Sequence, residues 1–122
     1  MRAFKTRTFQ RWANKAGVSD AALIDAVAQM EQGLVDADLG GNLFKQRVAS
    51  PGRGKSGSTR TIIATRFAGV LFFLYGFEKN ERDNISAKEL KLYQRFAREL
   101  LSFTEDQIAT ALAAQVLMEV ER

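Results

Sequence analysis

Residues 59–77 read TRTIIATRFAGVLFFLYGF. In the first half, Thr61, Ile63, Thr65 and Phe67 alternate with Arg60, Ile62, Ala64 and Arg66, the period-two pattern of a strand. Ala68-Gly69 can turn the chain. The second half, residues 70–77, is continuously apolar and aromatic. That pattern belongs to a strand buried on both faces, central in its sheet or covered by helices. Phe72, Phe73 and Leu74 are therefore assigned to the core. Just upstream, residues 42–49 put Leu43, Lys45 and Arg47 on one parity and Phe44, Gln46 and Val48 on the other. With Phe44 and Val48 inward, Lys45 and Arg47 face outward. Three antiparallel strands in a meander is the simplest connection.

Helices are predicted on either side of this meander. Residues 4–8 read as a short first strand. Phe9, Trp12, Ala13 and Ala16 have helical spacing, and Gly17 ends that helix. Ser19 is placed as the N-cap of a second helix, with Leu23, Val27, Met30 and Leu34 as its stripe and Gly33 near its stop. Asp38-Leu39-Gly40-Gly41 reads as a turn. Ser86 and Glu89 form a capping box, with Ile85 and Leu90 as its hydrophobic staple; Thr104, Gln107, Phe103 and Ile108 repeat the device. The first of these helices should run to about Leu101, burying Leu90, Tyr93, Ala97 and Leu100 or Leu101. The second should continue through Ala111, Leu112 and Gln115 to Leu117. The expected fold is α+β: a small antiparallel β-sheet packed by two N-terminal helices, with two C-terminal helices, in one domain over residues 1–122.

Charge is distributed unevenly. Residues 40–77 carry six basic side chains and no acidic one, while residues 1–39 carry five of each and residues 78–122 carry seven basic and nine acidic. The formal charge of +4 is thus a local field, of the sign that attracts a phosphate-bearing partner. No run reaches 18 apolar residues, so no membrane span is expected. The N-terminus lacks the apolar core of a secretory signal, and a cytoplasmic location is expected. Cysteine and histidine are both absent. This removes disulfides, thiolate chemistry, metal sites built on His or Cys, a Ser–His–Asp triad and nuclease chemistry through paired imidazoles. No cofactor or metal is expected. Acid–base work would fall to Lys, Arg, Tyr, Asp, Glu or the substrate.

The loop SPGRGKSGS (residues 50–58) contains GKS but not a nucleotide-binding loop. Ala49 stands where the first glycine should be, and a strand follows instead of a helix. Arg53 and Lys55 on this flap suit phosphate gripping better than chemistry. Arg60, opening a strand directly after it, can present a guanidinium fork to phosphate. The ordinary alternative is a solvated edge arginine. Lys45 and Arg47 share a strand face, as they also would in plain solvent-facing alternation. Lys79 and Arg82 follow the apolar strand, where strand ends rim a groove, although Glu78, Glu81 and Asp83 could make this a solvated turn. Arg66 joins the RNA-facing set. Tyr75 and Phe77 can stack on bases, core packing being the default for at least one of them. Tyr93 falls at an apolar mid-helix position and reads as core.

Three segments carry a family resemblance: DADLGGNLFKQRV (36–48), PGRGKSGSTRTII (51–63) and LFFLYGFEKNERDNIS (71–86). Together they resemble the RelE/HigB-type toxins of bacterial toxin–antitoxin systems. The likeness is greatest to the subgroup with a GKSG-x-x-R loop-strand and a GFxKNERxNI stretch, and it extends from Phe4 to about Val120. The resemblance implies a ribosome-dependent endoribonuclease that cleaves messenger RNA in the ribosomal A site. It implies an antitoxin partner, often with a helix-turn-helix domain, so that DNA is met only through the antitoxin. By motif position, Lys45 and Arg47 match the family's basic strand. Arg60 matches the arginine that contacts the scissile phosphate, and Lys79 and Arg82 match the basic positions after the last strand. The chain departs from the family in one respect. RelE-like enzymes use a C-terminal tyrosine in acid–base chemistry, and the only tyrosine here after Arg82 is Tyr93. Two other readings stay open: a non-catalytic RNA- or protein-binding module, and a gyrase-directed toxin of the same fold.

Overall fold

The computed structural model of the chain describes residues 1–49 and 59–121. The flap at 50–58, with Arg53 and Lys55, lies outside the described residues. In chain order the elements are β1 (Arg2–Thr6), α1 (Arg7–Ala16), α2 (Asp20–Glu31), β2 (Ala37–Gly40), β3 (Leu43–Val48), β4 (Thr59–Thr65), β5 (Val70–Glu78), α3 (Ala87–Leu101), α4 (Glu105–Ala113) and β6 (Leu117–Glu119). The strands form one sheet in the order β2-β3-β4-β5-β1-β6. The fold is α+β, as expected. Strands β2 to β5 pair antiparallel, as does β6 with β1, but β1 runs parallel to β5, so the sheet is mixed.

The unbroken apolar run of β5 follows from its position. It lies between β4 and β1 with helices on both faces. On one face Phe73, Leu71, Ile63 and Val48 pack against Phe9 and Ala13 of α1 and Leu23, Val27 and Met30 of α2. On the other, Phe72, Leu74, Ile62 and Leu43 pack against Ala97 and Leu101 of α3 and Ile108 and Ala111 of α4.

Local chemistry sets the ends of the elements. The Thr6 side chain accepts from the Phe9 N–H, so the first strand stops at Thr6 and does not reach residue 8. Gly17 closes α1 in the left-handed region at φ 73°. Both capping boxes are present, on α3 and α4. Two elements differ from the sequence expectation. Of the stretch Asp38–Gly41, which read as a turn, the first three residues belong to the edge strand β2 (Ala37–Gly40), and the reversal falls at Gly41 and Asn42, both at positive φ. The last helix ends at Ala113 instead of continuing to Leu117. Gln115 adopts a φ of 57°, and Arg7 donates to the carbonyls of Ala114 and Gln115 that the helix leaves open. The chain then turns back as β6 to cover the outer edge of β1.

One irregularity decides what the sheet presents. Ile62 pairs with Tyr75 and Ile63 with Phe73, so β5 has one extra residue, Leu74. This bulge reverses the parity of everything after it. Leu74 and Tyr75 both lie on the α3/α4 face, and Phe77 follows on that face. Gly76 turns to the α1 face, directly under the Trp12 ring. A Cβ at position 76 would lie 2.2 Å from Trp12 Cζ3. Gly76→Ala is therefore expected to cost about 1–3 kcal/mol in urea unfolding. Trp12→Ala in the same background should recover part of the loss. An unchanged midpoint for Gly76→Ala would contradict this packing.

Candidate phosphate-binding face

The candidate side chains occupy adjacent rungs of β3, β4 and β5. On the first rung Arg47 pairs with Arg60 and Arg60 with Phe77. On the next, Lys45 pairs with Ile62 and Ile62 with Tyr75. The alternation of β3 and β4 and the bulge of β5 put all of these on the α3/α4 face, at the end of the sheet away from Arg66. Two arginines directly opposite each other repel. An acid relieves this: Asp36 Oδ2 lies 3.4 Å from Arg60 Nε. Arg60 is only 7% exposed, whereas Arg47 is exposed and Lys45 is half-buried.

Asp36 is itself fixed. Its N–H donates to Gln46 Oε1 at 3.0 Å, and Gln46 Nε2 donates to the Leu34 carbonyl at 3.0 Å. Gln46 is buried, so these bonds tie the segment after α2 to β3 with little competition from water. Nothing in the spacing of Gln46 suggests such a task. Its inward parity beside Phe44 and Val48 is the one usable signal, because a buried amide must find partners.

Arg82 approaches from beyond β5. Its Nη1 donates to Tyr75 Oη and to Glu89 Oε2, each at 3.1 Å; its Nη2 pairs with Glu89 Oε1; its Nε donates to the Asn84 carbonyl. The guanidinium also lies 5.9 Å from the Tyr75 ring centre and 5.7 Å from that of Phe77. Glu89 serves two structures at once, since its Oε1 also accepts from the Ser86 N–H in the α3 capping box. The hydrogen bonds from Arg82, and then from Ser86, lower the Glu89 pKa from 4.5 to about 2. The same pairing raises that of Arg82. Tyr75 stacks on Tyr93 with centroids 5.5 Å apart. Burial pushes the Tyr93 phenol up to about 12, which makes it a poor proton donor or acceptor near neutrality.

The structure thus brings together Lys45, Arg47, Arg60, Tyr75 and Arg82. Lys79 is exposed in the turn that leaves β5, one residue beyond the partner of Thr59. Arg66 lies past the opposite end of β4, about 20 Å along the strand from Arg60. There its Nη1 donates to the Leu101 carbonyl at the end of α3. Phe77 is buried beneath Arg82. The cations that remain most open to solvent, Arg47 and Lys79, flank the pair of anchored arginines. Such a face can grip a phosphodiester and stabilise negative charge developing on phosphorus. Among the described residues no cluster of three or more Asp or Glu could hold a metal ion.

The family model for the RelE toxin of RelE/RelB toxin–antitoxin systems matches residues 1–120, and the chain belongs to that family. No curated protein matches the chain. No helix among the described residues is long and apolar enough to cross a membrane.

The Arg82–Glu89 pair has a testable pH signature. A carboxyl whose folded pKa lies below its unfolded value contributes stability above the unfolded pKa. That contribution is lost as pH falls from 4.5 towards about 2. Both side chains are partly solvated, so screening keeps the effect modest. Thermal unfolding from pH 7 to pH 2 should show Glu89→Gln less stable than wild type at neutrality, with the two curves converging below pH 4. Parallel curves across that range would contradict the pairing.

Proposed function

We propose that this chain is a ribosome-dependent endoribonuclease toxin, which cleaves messenger RNA in the ribosomal A site and so inhibits translation. The observation that carries this reading is the convergence of Lys45, Arg47, Arg60 and Arg82 on one end of one sheet face, within a chain of the RelE toxin family. In the proposed reaction the RNA 2′-oxygen forms a bond to the adjacent phosphorus and the bond from phosphorus to the 5′-oxygen breaks. The products are a 2′,3′-cyclic phosphate and a 5′-hydroxyl. The 2′-hydroxyl proton leaves to a base, and the departing 5′-oxygen gains one. Arg60, with Arg47 or Arg82, stabilises the dianionic phosphorane. Lys45 or Lys79 is the proposed base. An ordinary lysine, at about 10.4, is a poor base at neutrality and needs neighbouring cations to lower its pKa. Lys45 has Arg47 on its own strand face. Arg53 and Lys55 on the flap would hold the flanking phosphates, with Tyr75 contacting RNA beside them; Arg66, at the opposite end of β4, would meet only a more distant part of the RNA.

The chemistry proposed here uses no metal or cofactor. The ribosome would orient the message, which supplies part of the rate that this face alone does not. Partners are then the ribosome, messenger RNA and an antitoxin, expected to carry a helix-turn-helix domain and to provide the only link to DNA. The site of action is cytoplasmic. One observation favours a second reading, a non-catalytic RNA-binding module: Arg60 and Arg82 each face a carboxylate.

Translating ribosomes with message and purified protein should yield new 5′-hydroxyl ends. Arg60→Ala should lower the cleavage rate about 10²-fold or more. It should also relieve growth arrest on expression. Absence of new ends with wild type would reject the nuclease, and equal ends with Arg60→Ala would reject the role given to Arg60. RNA binding retained without any cleavage would leave the binding module as the function.

A further inference from the structure

Beneath the cationic face, on the α1/α2 side of the sheet, sits one residue that packing alone does not call for. Phe44, Gln46 and Val48 share the side of β3 that faces α2. The two outer members are apolar, whereas Gln46 is 3% exposed and carries an amide into the core. An apolar side chain of the same volume would fill that space without the cost of burying a polar group. The amide is bonded at both ends to the chain that follows α2. Its Oε1 accepts from the Asp36 N–H and its Nε2 donates to the Leu34 carbonyl, each at 3.0 Å; Nε2 also lies 3.5 Å from Gln29 Oε1 at the end of α2. The N–H and the carbonyl flank one residue and meet one amide. The side chain thus stands in for the peptide of a partner strand, just beyond the Ala37–Lys45 pair that opens β2.

These contacts lead to Arg60 by two routes. Along the first, the side chain of Gln46 holds the backbone of Asp36, whose Oδ2 lies 3.4 Å from Arg60 Nε. A carboxylate at Nε fixes the rotation of the guanidinium plane. Along the second, the Gln46 carbonyl accepts from Thr61 Oγ1 at 2.9 Å. On the other side of Arg60, Thr59 Oγ1 donates to the Val48 carbonyl at 3.1 Å. Both threonines are fully buried, so the backbone from which Arg60 projects is clamped on either side by bonds that water does not contest.

We propose that Gln46 is a positioning residue for cleavage. It never meets RNA and acts from the opposite side of the sheet, through Asp36, by holding the Arg60 guanidinium in the direction that receives the phosphorane. The proposal rests on the nuclease reading above for the reaction it serves. A buried amide in place of an apolar residue contributes geometry more than stability. Its loss should therefore appear in the turnover of bound message, because Arg60 acts on charge that develops only in the transition state.

The experiment compares wild type, Gln46→Met, Asp36→Ala, Asp36→Asn, Arg60→Ala and the double variant of Gln46→Met with Arg60→Ala. It measures cleavage on programmed ribosomes, the thermal midpoint and the NMR signal of the Arg60 Nε–H. Gln46→Met keeps the volume and removes both hydrogen bonds. It should lower kcat about 10-fold with KM within about threefold of wild type. It should also shift or broaden the Arg60 Nε–H signal. In the Arg60→Ala background the same change should alter kcat by no more than about twofold, since a residue that acts through Arg60 has nothing left to position. Asp36→Ala should repeat the loss, and it decides the matter if Gln46→Met does not fold; Asp36→Asn, which keeps an acceptor, should recover part of it. Ile108→Ala, a cavity in the core beside α4, should lower the midpoint yet keep kcat within about twofold. Wild-type kcat in Gln46→Met, an equal loss in Ile108→Ala, full additivity with Arg60→Ala or an unmoved Nε–H signal would overturn the proposal. If wild type yields no 5′-hydroxyl ends, the nuclease reading falls by itself. The Nε–H signal then decides whether Gln46 positions Arg60: a shift in Gln46→Met upholds it, and an unchanged signal overturns it.

Discussion

The bulge at Leu74 is the constraint on which the candidate site depends. Without the extra residue, strict alternation would put Tyr75 and Phe77 on the α1 face and Gly76 on the α3 face. With it, the two aromatic side chains join Lys45, Arg47 and Arg60, and the Trp12 ring fills the space over Gly76. The small residue and the large ring favour the same register. A side chain at position 76 would collide with Trp12, and a regular strand would take from Arg82 the two rings over which it lies. Local backbone geometry in one strand thus determines whether the arginine beyond it can reach the cationic end of the sheet.

The charges on this face are arranged by carboxylates. Asp36 anchors Arg60, and Glu89 anchors Arg82 from within a helix cap. An arginine fork held by an acid loses little rotamer entropy when a phosphate arrives, so each pairing preorganises the site while weakening its net field. Arg47 and Lys79 remain exposed to supply that field. Burial raises the pKa of Tyr93, the only tyrosine beyond Arg82, and makes it a weaker proton donor near neutral pH. The acid–base part of the proposed reaction then falls to lysines among cations, or to groups that the ribosome brings.

Much of this was legible in the sequence. The two S/T-x-x-E/Q boxes gave the starts of α3 and α4, because capping is local chemistry. The apolar run at 70–77 announced a covered central strand, and alternation put Lys45 and Arg47 on one face. The parts that could not be read depend on contacts between distant residues. β6 is a short edge strand whose partner, β1, lies far from it in sequence, while β2 is a four-residue edge strand next to β3 whose Asp38-Leu39-Gly40 stretch carries the composition of a turn. The parallel pairing of β1 with β5 likewise has no local signature. The bulge is invisible in VLFFLYGF because every residue there is apolar or glycine, so a parity change leaves no mark. Glu89 reads only as a helix-capping residue, and no local pattern marks Asp36, until the fold carries Asp36 to Arg60 and Glu89 to Arg82.

The most direct test is to map where the message touches the protein on a programmed ribosome. Site-specific crosslinking from a photoreactive base in the A-site codon, read by mass spectrometry, would do this. The account predicts crosslinks in residues 43–48 and 70–82, around Arg47, Tyr75 and Lys79. Crosslinks concentrated instead around Arg98 and the end of α3, with none on β3 or β5, would contradict it.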